Sequence, residues 1–178
     1  YQIIRNYFLE HKEYTHLVIF ADDAEVRKEN LDILIRDLQS NDYPVISGVC
    51  CVNMDRKDLL NICDTMPSRT HERRHFDFLN WKDVRGLRKV PYAGFPMMAI
   101  RRDIVEQINF ESENWLAIGN CGGNYDLSFC CRCEDLNIPI YANTDNFFYH
   151  FRGYAIATGY KDPYVEFWPV GGERKRLS

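Results

Sequence analysis

The sequence has no apolar run near the roughly 20 residues that a membrane span needs. It also lacks a charged-then-apolar leader of the signal-peptide kind. There is no excess of positive charge: 22 Lys and Arg against 26 Asp and Glu leave a formal −4 and a pI near 5.7. Nucleic acid is therefore not expected as a partner. No internal repeat or low-complexity tract interrupts the 178 residues, which excludes a solenoid or a biased linker. Tyr1 stands where a starting Met would be, so residues upstream of it are expected. The seven cysteines lack an even count, which rules out complete internal pairing. The adjacent pairs Cys50-Cys51 and Cys130-Cys131 are unlike a secreted disulfide framework. Reduced, mostly buried thiols are expected, in the cytoplasm or, for a virus-encoded chain, the host cytoplasm. Cys130 and Cys133 have C-x-x-C spacing but no second pair to complete a zinc site.

What is present is enough apolar material for one domain spanning residues 1–178, since 46% of residues are hydrophobic and 14% aromatic. Ile3, Ile4, Tyr7 and Phe8 have helical spacing within 2–12, and strand 16–21 follows. Leu31, Leu34, Ile35 and Leu38 recur at i, i+3, i+4, i+7, which predicts an amphipathic helix over 28–39. The run Val45–Val52 is the next strand. This strand–helix–strand unit predicts a right-handed crossover between parallel strands. Residues 53–90 read as a polar excursion with short hairpin strands. Met97–Ile100 is a strand, with a short helix capped by Asp103 after it. Residues 111–123 read as a glycine loop, and 124–136 as a buried helix with Asn124 as N-cap. Strands are expected at 138–142 and 146–150. Residues 156–178 read as a flexible tail with a Gly171-Gly172 hinge.

The segment richest in chemistry is Leu17-Val18-Ile19-Phe20-Ala21-Asp22-Asp23-Ala24-Glu25. A short apolar strand there ends in adjacent carboxylates. Like charges so close repel, and a hard divalent cation such as Mg²⁺ or Mn²⁺ relieves them while also holding a diphosphate. A solvated acidic turn is the plainer alternative. Asp126 opens a buried helix, where the helix N-terminus favours a carboxylate; an ordinary first-turn Asp has the same look. His150 ends the apolar run Phe147-Phe148-Tyr149, a position that suits either a structural role or a metal ligand. His71-Glu72-Arg73-Arg74-His75 spells the H-E-x-x-H of zinc peptidases. Its two Arg residues and its lack of apolar periodicity argue instead for a solvated basic loop.

The order of these segments resembles nucleotide-sugar glycosyltransferases of the GT-A fold, closest to the inverting family 2-like group. Four segments carry the resemblance: Asp22-Asp23 after a strand with a helix beyond it, the strand Val45–Val52, Ala93-Gly94-Phe95 through Arg101-Arg102-Asp103, and Tyr125-Asp126 opening a helix. His150 completes the set. Ala21 departs from the D-x-D pattern, and Tyr125 replaces the Glu of an E-D pair. The strand–helix pairs that precede the D-x-D are mostly missing, as in an abbreviated or N-terminally truncated member. The resemblance implies an α/β fold with a mixed, mostly parallel central sheet flanked by helices. It implies Mn²⁺ or Mg²⁺ at Asp23, Asp22, Glu25 and His150, a nucleotide diphosphate-sugar donor, and Asp126 as catalytic base. Arg5, Arg174 and Lys175 would reach the diphosphate, with 53–90 on the acceptor side. The acceptor would be a glycan, a glycoprotein or a small molecule. The rival expectation is a non-catalytic carbohydrate-binding or assembly module.

Overall fold

Strict alternation decides how the central strands sit. The computed structural model describes residues 1–21, 24–52, 58–67, 76–110, 125–151, 154–158, 165–169 and 175–177, with side chains as far as Phe148. The strands of the main sheet are β1 (His16–Phe20), β3 (Val45–Val49), β6 (Leu87–Val90), β8 (Met97–Arg101) and β9 (Ile140–Phe147). They lie in the order β1-β8-β3-β9-β6. Leu17, Ile19, Val45, Val49, Met98, Ile100, Ile140 and Ala142 point to one face. There they pack with Phe8 of α1 (Gln2–Glu10), Ile104 and Val105 of α3 (Arg102–Gln107), and Leu127 and Phe129 of α4 (Tyr125–Asp135). The intervening Ile46, Met97 and Ala99 point the other way and meet Leu34 of α2 (Lys28–Ser40), together with Cys50 and Phe148. A period of two on each strand thus produces three layers, with helices on both faces.

The expected mixed α/β architecture holds, but the expectation of a mostly parallel sheet is corrected. Only β3 and β9 pair parallel; β1 with β8, β3 with β8 and β6 with β9 are antiparallel. Strands β1 and β3 do run the same way, because both oppose β8. They are not neighbours, since β8 fills the slot between them. Its residues Met97 to Ile100 are each at most 1% exposed, so both faces of β8 are apolar and demand a central place.

Two further sheets are found among the described residues. β4 (Leu59–Cys63) lies between β5 (Phe78–Asn80) and β7 (Tyr92–Ala93). Residues 53–90 therefore hold β4, β5 and β6, and β6 is the edge of the main sheet. A further sheet runs β13-β12-β11-β10-β2, where β2 is Ala24–Glu25, β10 Tyr149–Phe151, β11 Tyr154–Thr158, β12 Val165–Pro169 and β13 Lys175–Leu177. The segment 156–178, read as a flexible tail, instead carries antiparallel strands. The strands expected separately near 138–142 and 146–150 are one long β9, followed by β10 after Phe148. Phe148 is fully buried, and its N–H donates to the Val49 carbonyl at 3.0 Å.

Helix α1 also differs from its pattern. Phe8 is buried, but Ile3, Ile4 and Tyr7 are exposed. On α2, Leu34 is buried while Leu31 and Ile35 are exposed. Asp103 does not cap α3 with its side chain; Arg101 is the N-cap, and Asp103 pairs with it. The 111–123 loop and Asn124 lie outside the described residues.

Candidate functional site

The residues on either side of Asp22-Asp23 are fixed by backbone hydrogen bonds. Ala21, at the end of β1, donates its N–H to the Pro96 carbonyl at 3.0 Å, and the Ala24 N–H reaches the Ala21 carbonyl at 3.2 Å. Asp22 and Asp23 themselves lie outside the described residues. Ala24 and Glu25 then form β2, which pairs antiparallel with β10: Ala24 opposite His150, and Glu25 opposite Tyr149. Directly opposed residues of an antiparallel pair have Cα atoms about 4.5–5.5 Å apart. His150, 126 positions downstream of Ala24 by its number, thus lies across from the residue bonded to Asp23. Glu25 is half-buried, and its Oε1 accepts from Arg27 Nε at 3.0 Å.

Asp126 lies in the first turn of α4 and is half-buried. Its Oδ1 accepts the Leu127 N–H at 2.7 Å, and its Oδ2 accepts the Tyr92 hydroxyl at 2.9 Å. Tyr92 is 5% exposed. Burial, then the Asp126 charge beside it, pushes the phenol well above its ordinary range, so it remains a donor at any ordinary pH. The segment Tyr92 to Pro96 therefore bonds both Asp126 and Ala21, the residue before Asp22. Tyr92 grips Asp126 at one end, and the Pro96 carbonyl accepts the Ala21 N–H at the other. Four residues span at most about 14 Å of backbone.

The remaining expectations divide. Arg5 does not face a phosphate site: its Nε donates to the Val105 and Ile108 carbonyls at 2.9 Å, and its Nη2 to Glu106 at 3.1 Å. That corrects its sequence reading, for the guanidinium satisfies the carbonyls left open at the end of α3. Lys175 opens β13, with its backbone opposite Phe167. Arg174, and His71, Glu72 and His75 of the zinc-peptidase pattern, lie outside the described residues. Cys130 and Cys133 are buried, and burial pushes both thiols up; Cys130 Sγ donates to the Ala93 carbonyl at 3.4 Å. Among the described residues no three His, Cys, Asp or Glu side chains gather as a metal group. No described helix is long and apolar enough to cross a membrane. Sequence reasoning missed Tyr92, which stood in a turn-rich stretch with no local signal of its partner.

No family model matches the chain, and no curated protein matches it. Its fold is similar to that in the crystal structure of A197 from STIV, with a TM-score of 0.54 and 20% identity, covering 88% of this chain and 69% of that one. This likeness is one of fold. The expected membership in the family 2-like GT-A transferases is corrected by that match, which at 20% identity shows a shared fold and no such family. The shared motifs are local ones, an acid at a strand end and an acid at a helix start, and unrelated α/β folds generate both.

Proposed function

We propose that the chain is a metal-dependent glycosyltransferase, moving a sugar from a nucleotide diphosphate-sugar to an acceptor hydroxyl with inversion. The observation that carries this reading is the pairing of β2 with β10, which sets His150 in register with Ala24 beside the Asp22-Asp23 turn. Carboxylates suit Mn²⁺ or Mg²⁺, and an added imidazole ligand favours Mn²⁺ of the two. Asp23, Asp22 and His150 would hold the ion, with Glu25 as an auxiliary already shared with Arg27. The bound ion would supply Lewis-acid neutralisation of the leaving diphosphate.

Asp126 is the base in this scheme. It takes the proton of the acceptor hydroxyl as that oxygen bonds to the anomeric carbon. The bond from the anomeric carbon to the diphosphate oxygen breaks, and the diphosphate leaves with the electron pair. One base, with attack opposite the leaving group, inverts the anomeric centre.

Calorimetry with UDP and GDP, with and without Mn²⁺, tests the metal role. Metal-dependent binding is expected, and Asp23→Asn weakens it at least about a hundredfold, ~2.8 kcal/mol, while circular dichroism stays unchanged. Equal affinity in the variant removes the acidic turn from the site. Nucleotide binding without release of nucleoside diphosphate from any nucleotide sugar favours the binding-module alternative.

A further inference from the structure

A half-buried carboxylate at a helix start is ordinarily oriented by the helix amides and by water. Asp126 has in addition a donor from the core. The Tyr92 ring is fixed by Phe76, edge-on at 5.2 Å, and by Phe78 at 6.4 Å. From that anchored ring the hydroxyl reaches Oδ2 at 2.9 Å, while the Leu127 amide holds Oδ1 at 2.7 Å. With both oxygens engaged, the Tyr92 hydroxyl and the Leu127 amide together set the plane of the carboxylate. We propose that Tyr92 is the positioning residue for Asp126, holding its carboxylate in the orientation in which it takes the acceptor proton during transfer. This rests on the transferase reading above. Tyr92 keeps its own proton throughout; the acceptor proton moves to Asp126.

The surroundings keep the Tyr92 phenol protonated. Among the described residues, Cys130 on α4 and Cys63 on β4 also act on Tyr92 through their charge. Burial pushes the Cys63 thiol up to about 12 and the Cys130 thiol well above its usual value. A hydrogen bond to the ionised carboxylate favours that form. Removing the phenol therefore makes Asp126 easier to protonate, and strengthening it does the reverse.

The test uses the whole chain with Mn²⁺ and a panel of UDP- and GDP-sugars, reading release of nucleoside diphosphate against pH. Carbon-13 NMR of the Asp126 carboxyl runs in parallel. Tyr92→Phe keeps the ring and its packing. It is expected to lower kcat about tenfold with KM little changed, and to move the acidic limb and the NMR midpoint up by roughly half to one unit. Incorporating 3-fluorotyrosine at position 92, a stronger donor of the same shape, moves both midpoints down. Unchanged kcat and midpoints across this series, with Asp126→Asn inactive, overturn the role of Tyr92 alone. Full activity of Asp126→Asn overturns the base assignment and Tyr92 with it. No turnover of any nucleotide sugar by the unmutated chain overturns the transferase reading itself.

Discussion

Asn30 joins α2 to the far end of β9 through a two-way amide contact. Its Nδ2 donates to Asn146 Oδ1 at 3.0 Å and to the Phe147 carbonyl at 2.7 Å, and Asn146 Nδ2 returns a bond to the Asn30 carbonyl at 3.1 Å. Its Oδ1 accepts the Arg27 N–H at 3.0 Å, closing the first turn of α2. Asn30 is 6% exposed and Asn146 1%. Asn30→Ala leaves several buried groups unmet and is expected to cost about 3 kcal/mol, read as a lower urea midpoint; a change under about 0.5 kcal/mol would show that the network is dispensable. At this scale the sequence was least legible. Asp126 and His150 stood out as residue types, but Arg5, Asn30 and Tyr92 carry partners 103, 117 and 34 positions away. No local pattern encodes such separations, so Arg5 read as a phosphate ligand and Tyr92 as a turn residue.

Strand β3 shows what the element scale adds. Its parallel pairing with β9 is regular from Val45 to Ser47 and then shifts, so that Val49 meets Phe147. Gly48 lies at that irregularity. A Cβ there would stand 2.9 Å from the Asn146 carbonyl oxygen and 3.0 Å from the Phe148 ring. The carbonyl belongs to β9 and cannot swing away as a flexible side chain would. Gly48→Ala is expected to destabilise by about 2 kcal/mol, although alanine is ordinarily the better strand and helix residue. Thermal or urea unfolding measures it, and an unchanged midpoint would mean that the irregularity can relax. Strong apolar patterns placed β1, α2, β3, β8 and α4 within a few residues of their observed bounds. The patterns did not show that β8 separates β1 from β3, because alternation specifies which face a residue takes and not which strand lies beside it.

Across the molecule, acid acts at one corner where α2, β1, β8 and α3 meet. Arg101 bonds Asp42 Oδ1 through Nη1 at 2.6 Å and Asp103 through Nε at 2.6 Å and Nη2 at 2.7 Å. The Arg101 hydrogen bonds hold the Asp103 carboxyl below its ordinary 3.8. Burial, with the Arg101 charge adding, holds His16 below its ordinary 6.5. Both groups are depressed in the fold, so in each window the unfolded chain binds more protons and stability falls with pH. The urea midpoint is expected to decline first below about pH 6.5 and again below about pH 3.8. Asp103 and Asp42 are 49% and 86% exposed, so solvent screening keeps the second step small. Arg101→Gln is expected to remove the Asp103 contribution; a midpoint that rises on acidification would reverse the assignment.

The sequence by itself determined the segments that form β1, α2, β3, β8 and α4, because periodicity and burial are local properties of the chain, but not the strands β11, β12 and β13. It also marked the acidic turn, Asp126 and His150 as chemically loaded. Only the tertiary structure decided their company. Strand insertion made the sheet mostly antiparallel, the pairing of β2 with β10 set His150 opposite Ala24, and the turn before β8 brought Tyr92 to Asp126. These juxtapositions depend on which surfaces pack together across the whole chain, and that choice is made by the total burial of all the layers and by no single segment.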